Sequence, residues 1–419
     1  MSGASEGTAL QCPEVTGALV NSELKTALFK LLSYCRSEDW AGYDPYDALN
    51  SAIFTKLQFL DSRFPRLALT QALKRSPINI RGLVRIPKTQ NPKGLALFLS
   101  ALLEMRPQDL SDRDELIEYM IARIGELRSK HDRYDCWGYS FPWQTRTLLV
   151  PRFAPNVVCT VFVAGSLLDA YEQRGAEQCL KMAVSAAEYI LNDLYWAEGE
   201  AVGFCYPMPQ CKSQTYNANL LAAALLCRVA RFTNERKFVD PALRAARYAV
   251  SKQRDDGSWY YGETAKARWI DNFHTGYNLG ALQSIGRELD SDEFEVSIRR
   301  GFEFYRANFF RADGAPKYFH NNVYPLDIHC VAQSILTLVA FKDLDSTSLE
   351  MANSVFDWAM KNMWDERGYF YYRVLRFGKV RTSYMRWSQA WMLLALSKLL
   401  ACSETTASPV SARRSTVLA

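Results

Sequence analysis

The chain has 419 residues, 48% of them hydrophobic and 13% aromatic, with a formal net charge of +5. That is ample apolar mass for a large core, and one large domain or a single repeat array is the natural reading. No apolar run approaches the roughly 18 residues that cross a bilayer, and no basic-then-apolar leader opens the sequence, so membrane insertion is not expected and a cytoplasmic location is.

In chain order, apolar helical stretches near 24–35, 48–60, 65–75, 93–105 and 113–128 predict one or two helical hairpins in a less regular N-terminal part, 20–130. Two Pro-bearing stretches, "WAGYDPYDALN" and "RSPINIRGLVRIPKTQNPKG", interrupt it as structured loops, because Pro cannot continue a helix. From Ser62 to Leu103 there are eight basic residues (Arg63, Arg66, Lys74, Arg75, Arg81, Arg85, Lys88 and Lys93) and no acid. A second acid-free run brings Arg373, Arg376, Lys379, Arg381 and Arg386. Both runs are interleaved with apolar and aromatic residues, unlike a solvated polybasic tail, and so suit an anionic ligand. No motif supports nucleic acid.

Residues 131–402 repeat regularly. Five nearly all-apolar helices open on polar clusters, with Thr160, Asn217, His274, His329 and Trp387 spaced 57, 57, 55 and 58 residues apart. The first four are each followed by an amphipathic helix, so the unit is an αα-hairpin with a buried first helix and a half-wet second one. Between hairpins lies a recurring Gly-aromatic loop, as in "WGYSFPW", "GFCYP", "DGSWYYG", "DGAPKYF" and "RGYFYYR". These loops suit short extended segments. About six hairpins closing into one all-α (α/α) toroid, residues 1–402, would set all the loops on one aromatic rim. The tail 403–419 has no apolar period and reads as disordered.

"KQRDDGSW" resembles the QW motif of squalene and hopene cyclases, and "DNFHTGYNLGAL" is similar to a segment of protein prenyltransferase β subunits in which the His binds zinc. Both families are α-α toroids, so the resemblance implies the fold the period predicts. Their chemistry does not map: "DSDE" (290–293) falls at a turn within a hairpin, and "PQC" has Pro209 where the zinc-binding Asp belongs. The ten cysteines show no CxxC pair, and neither a metal nor another cofactor is expected. "DGSWYY" and "SYMRWSQAWMLLALSKLL" resemble the rim loop and last inner helix of six-hairpin carbohydrate-active enzymes, which include sugar 2-epimerases, unsaturated uronyl hydrolases, polysaccharide lyases and uronyl C5-epimerases. Most of the chain also resembles an uncharacterised bacterial set associated with surface-polysaccharide loci.

Sugars bind aromatic faces with polar groups at their edges, which a rim of Trp, Tyr, Asp, His and Arg offers. Asp271 and His274, and Asp327 and His329, stand at equivalent points one repeat apart. Each Asp is readable as a helix cap, which contributes about 1 kcal/mol, or as one of two carboxylates working on a glycosidic bond. His and Tyr could instead move a proton next to a carboxylate, as lyases and epimerases do. These four are the expected catalytic residues. Trp259, Tyr260, Glu263, Arg268, Tyr277, Asn217, Tyr324, Arg381, Arg386, Trp387 and Arg81 are expected to bind an acidic, uronic-acid glycan. An isoprenoid-diphosphate enzyme and a non-catalytic glycan-binding scaffold are the alternatives.

Overall fold

The computed structural model describes residues 13–57 and 62–407. Six inner helices form a closed ring: α3 (Pro92–Glu104), α5 (Val157–Arg174), α7 (Tyr216–Thr233), α9 (Asn272–Leu289), α11 (Ile328–Ala340) and α13 (Trp391–Ala407), each packed on the next and α13 back on α3. Outside them stand α1 (Pro13–Ser37), α4 (Arg113–Glu126), α6 (Glu177–Tyr189), α8 (Val239–Ser251), α10 (Glu295–Phe309) and α12 (Ser348–Met363). The sixth hairpin joins the two ends of the chain, with α1 lying against α13. Helix 24–35 therefore belongs to the hairpin that closes the ring, a pairing no local sequence signal gives.

Burial separates the two rings. Nearly every residue of α11 is buried, whereas α8 buries only Ala242, Ala245, Ala246 and Ala249, a single helical stripe. The N-termini of the inner helices share one rim with the connecting loops. There lie the hairpins β1–β2 (Trp143–Gln144, Leu149–Val150), β3–β4 (Tyr195–Glu198, Ala201–Phe204) and β6–β7 (Trp364–Asp365, Tyr369–Phe370). There too lies a three-stranded sheet of β5 (Leu326–Asp327), β8 (Arg373–Leu375) and β9 (Gly378–Val380). The expected extended rim segments are thus present. Gly257, in the Asp-Gly turn, needs its φ of +86° and its missing side chain, since a Cβ would fall 2.2 Å from the Arg300 carbonyl oxygen.

Two N-terminal expectations change. Residues 48–60 are not an α-helix: short 3-10 turns at Asp47–Asn50 and Phe54–Lys56 are followed by positions 58–61, outside the described residues. These turns, α2 (Arg63–Arg75) and the following loop enclose a small core of Ala48, Leu73 and Ile86, separate from the main one. At the other end α13 continues through Ala407, so 403–407 are helical and not disordered; the rest of the tail lies outside the described residues.

Candidate active site

Asp271 and Asp327 are the N-caps of α9 and α11, and both are buried. The Asp271 carboxylate accepts the His274 backbone N–H at 3.0 Å, the Trp269 indole N–H at 2.8 Å and His274 Nδ1 at 2.8 Å. Its cap role and its hold on the imidazole coexist, because one oxygen serves the helix and the other the ring. Asp327 caps α11 through the His329 backbone N–H (2.9 Å) and also accepts the Trp387 indole N–H (2.9 Å). Its second oxygen is paired with Arg373. Neither carboxylate is free.

The imidazoles differ. The His274 side chain is 20% exposed, lies against the Tyr261 ring, and makes no hydrogen bond through Nε2 among the described residues. It lines a narrow crevice, too tight in this structure to hold a water molecule, with Asn217, Trp259, Tyr260, Tyr261 and Asn278. His329 is 1% exposed and packed among Phe273, Trp387 and Trp391, whose rings lie 4.7, 4.5 and 4.7 Å away. Its Nε2 meets the Tyr277 hydroxyl at 2.7 Å, and its Nδ1 faces the Trp387 backbone without reaching hydrogen-bond geometry. Burial, with Lys93, Arg386 and His274 nearby, holds the His329 pKa well below the usual value, while burial pushes the Tyr277 phenol well up. The pair is therefore a neutral phenol donating to a neutral imidazole.

Helices α9 and α11 meet closely at Gly276, where a Cβ would lie 2.7 Å from Thr337 Oγ1 and 2.8 Å from the Gln333 side chain. That contact brings His274, Tyr277 and His329 to one place at the head of the ring. Trp387 and Asn217 join them; Asn217 lines the crevice, and its buried Oδ1 has no hydrogen-bond partner among the described residues.

Trp259 lines the crevice and Arg386 lies 5.4 Å from the Trp387 ring, but these and the other expected binding residues are held by partners of their own or stand apart. Arg81 is buried against Asp47 (2.8 Å) and lies 4.8 Å over the Tyr384 ring, so it fastens the N-terminal segment. Arg386 is locked to Asp44 by two bonds of 2.7 and 2.9 Å under the Tyr139 ring, an ion pair whose cation still acts on Lys93 and His329. Trp259 is 2% exposed and donates its indole N–H to the Ala249 carbonyl (3.0 Å), closing the last turn of α8; Trp137 does the same for α4 through Ile124 (2.9 Å). The QW-like stretch is thus cement, with Gln253 bonded to Gly257 and to Ser297 of α10. Glu263 accepts the Tyr248 hydroxyl and faces Lys252 at 3.8 Å, beside α8. Arg381 lies in a separate surface groove with Tyr34, Glu38 and Lys88. Arg268 and Tyr324 are exposed on loops of the rim.

The sequence reading passes over Asp44 and Tyr46 and counts Lys93 and Arg373 only as members of the two basic runs. For Lys93 a signal existed: Asn91 and Pro92 mark a helix start, which puts Lys93 in the first turn of an all-apolar inner helix. Tyr46 comes from the N-terminal segment. Its ring is 5.6 Å from Trp387, its hydroxyl accepts from Lys74 Nζ (2.8 Å), and it lies within electrostatic reach of Tyr206, Tyr261, Tyr318 and Tyr372. The segment thus forms a cap across the mouth of the ring. Among the described residues, no three His, Cys, Asp or Glu side chains converge as metal ligands would.

No protein-family model and no curated protein sequence matches this chain. Its fold is that of solved α/α toroid carbohydrate-active enzymes. It is similar to cellobiose 2-epimerase from Bacillus thermoamylovorans, with a TM-score of 0.59 and 11% identity over 74% of this chain and 87% of that one. It is also similar to a family 76 glycoside hydrolase (mannosidase) from Bacteroides thetaiotaomicron, with a TM-score of 0.58 and 14% identity over 75% and 88%. A possible family 105 member from Salmonella enterica gives a TM-score of 0.53 and 14% identity over 74% and 83%. At such identities the likeness establishes the (α/α) toroid and nothing finer.

Proposed function

We propose that the protein is a carbohydrate-active enzyme that transfers a proton at a sugar carbon, of the epimerase or lyase class. One observation carries this: both candidate carboxylates are hydrogen-bonded through both oxygens, while the His274 imidazole, gripped by Asp271 and 20% exposed, makes no hydrogen bond through Nε2 among the described residues. Glycoside hydrolysis asks for two carboxyl groups facing the substrate, which Asp271 and Asp327 do not supply. An Asp–His pair beside a Tyr–His pair instead suits a base on one side of a C–H bond and an acid on the other. His274 is the base, Asp271 fixes its tautomer, and the Tyr277–His329 pair donates. The toroids named above, a cellobiose 2-epimerase among them, support a sugar as substrate.

An acidic sugar, with proton transfer next to a uronate carboxylate, is the second reading. It is favoured by Lys93 and Lys74, which have no carboxylate partner among the described residues although Arg81, Arg373 and Arg386 each have one. The described cysteines other than Cys402 form no disulfide among the described residues, which agrees with a reducing, cytoplasmic setting. The test is incubation with reducing sugars and with uronic-acid oligosaccharides in heavy water. Deuterium entering a carbon-bound position, lost in His274→Gln, is the expected result. Release of reducing ends without any carbon-bound deuterium would replace proton transfer with hydrolysis.

A further inference from the structure

Lys93 occupies the second residue of α3, the position that His329 holds on α11 and Asn217 on α7. Its ammonium nitrogen lies 3.8 Å from the Phe162 ring centre, 5.3 Å from Trp391 and 5.6 Å from Tyr277, the tyrosine bonded to His329. The residue is 3% exposed, and its side chain makes no hydrogen bond or ion pair among the described residues. A lysine buried in rings without an acceptor is costly as packing alone, because an unpaired charge there keeps its full desolvation penalty. The groups facing it are Arg386, the Cys159 thiol and Asp44, and Asp44 is already spent on Arg386.

Two influences compete over its proton. Three ring faces favour an ammonium. Burial, the Arg386 charge and the positive end of α3 oppose it, and the first two hold the Lys93 pKa well below that of a free lysine. Desolvation beside a second cation is how a lysine becomes a nucleophile.

We propose that Lys93 is a nucleophilic amine that condenses with the carbonyl carbon of an open-chain reducing sugar bound at the head of the ring. This rests on the proton-transfer reading above and deepens it. The nitrogen forms a bond to the carbonyl carbon, giving a carbinolamine. The C–O bond then breaks, oxygen leaves as water with protons relayed by the Tyr277–His329 pair, and an imine remains. Protonated, the imine draws the electron pair of the adjacent C–H bond as His274 takes its proton. Return of a proton to carbon and hydrolysis of the imine restore the free amine, so no oxidant or reductant is consumed.

The experiment treats the full chain with glucose, mannose, cellobiose or glucuronate in the presence of cyanoborohydride, followed by intact mass and peptide mapping. We expect one saturable adduct on Lys93, absent in Lys93→Met and Lys93→Arg and absent with methyl glycosides, which cannot open. Thermal melting of Lys93→Met, an unbranched apolar replacement, shows that the fold survives. Adducts scattered over surface lysines with Lys93 spared, or no adduct from any of the four sugars, overturn the proposal. So does glucuronate affinity that drops in Lys93→Met without any trapping, which makes Lys93 a carboxylate partner only. Carbon-bound deuterium that persists in Lys93→Met leaves proton transfer standing and removes the amine. Trapping at Lys93 with no deuterium exchange does the reverse.

Discussion

Asp271→Asn separates a helix cap from a catalytic orienter, because the two roles have different magnitudes. The carboxylate receives the His274 backbone N–H, the Trp269 indole and His274 Nδ1. An amide oxygen can keep the backbone bond. Its NH2 then faces two former donors; the imidazole adapts by changing tautomer, and the Trp269 indole loses its acceptor. One unsatisfied donor costs about 1–3 kcal/mol. At about 2 cal/mol/K per residue, a chain of 419 residues melts with an entropy near 0.9 kcal/mol/K, so Tm falls by about 1–3 °C. The rate falls much further. The new tautomer carries its proton on Nε2, the atom that must accept one, which removes a general-base contribution of about 10²- to 10⁴-fold, or roughly 3–5 kcal/mol. Deuterium exchange into substrate measures the rate, calorimetry the stability, and nitrogen NMR of the His274 ring the tautomer. An Asp271→Asn protein that exchanges within about tenfold of wild type, with its ring proton still on Nδ1, reduces Asp271 to a cap and refutes the argument.

His329 makes stability pH-dependent. Its folded pKa lies well below the unfolded value near 6.5, so the folded state binds fewer protons. Stability is full above about pH 6.5 and is lost progressively as pH falls from there toward the folded value, at up to 1.36 kcal/mol per pH unit. Melting curves from about pH 8 to about pH 5 should show a steeper acid loss for wild type than for His329→Gln. Gly276→Ala drives a Cβ into Thr337 and Gln333 and should cost about 1–3 kcal/mol while separating His274 from His329. Gly280→Ala, on the same helix with nothing within 4 Å, should gain about 0.5–1 kcal/mol; equal melting of the two variants would mean that the α9–α11 contact sets nothing. The cap rests on a core of Ala48, Leu73 and Ile86, so hydrogen exchange in α2 should run well ahead of α11, and equal protection would show one cooperative unit.

What the sequence made legible is what repeats locally. The apolar spokes, their polar caps and the Asp–His pairs all follow from short-range periodicity, and all lie at the head of the ring. What it hid depends on partners far along the chain. Arg386 reads as a free cation until Asp44, 342 positions away, is seen to pair with it, and Arg81 until Asp47 is. Trp259 lines the crevice, but nothing local shows that its indole N–H also closes the last turn of an outer helix. Residues 48–60 have helical composition, yet the described part, 48–57, forms short turns, with Ala48 packed on Leu73 of α2 and Ile86 in the floor of a cap. Lys93 was visible only as one of eight charges, since its ring cage is drawn from α5, α9 and α13.

Two similar caps yield two different imidazoles, because His274 is the third residue of α9 and His329 the second of α11, and because each second carboxylate oxygen meets a different donor. At Asp271 the neighbouring donor is an indole, a neutral group that leaves the oxygen able to hold His274 as well. At Asp327 it is Arg373, and with that oxygen consumed the His329 ring turns away to Tyr277, inside a shell of Phe and Trp. One histidine is thereby half-open and backed by a carboxylate, while the other is closed, neutral and backed by a phenol. Environments that drive two like groups apart assign them opposite proton duties. A single exchange tests the assignment: Arg373→Gln frees the Asp327 oxygen without touching either ring. It should draw His329 toward the His274 arrangement, weaken the Tyr277 bond, and lower exchange at carbon even where the fold and Asp271 are unchanged.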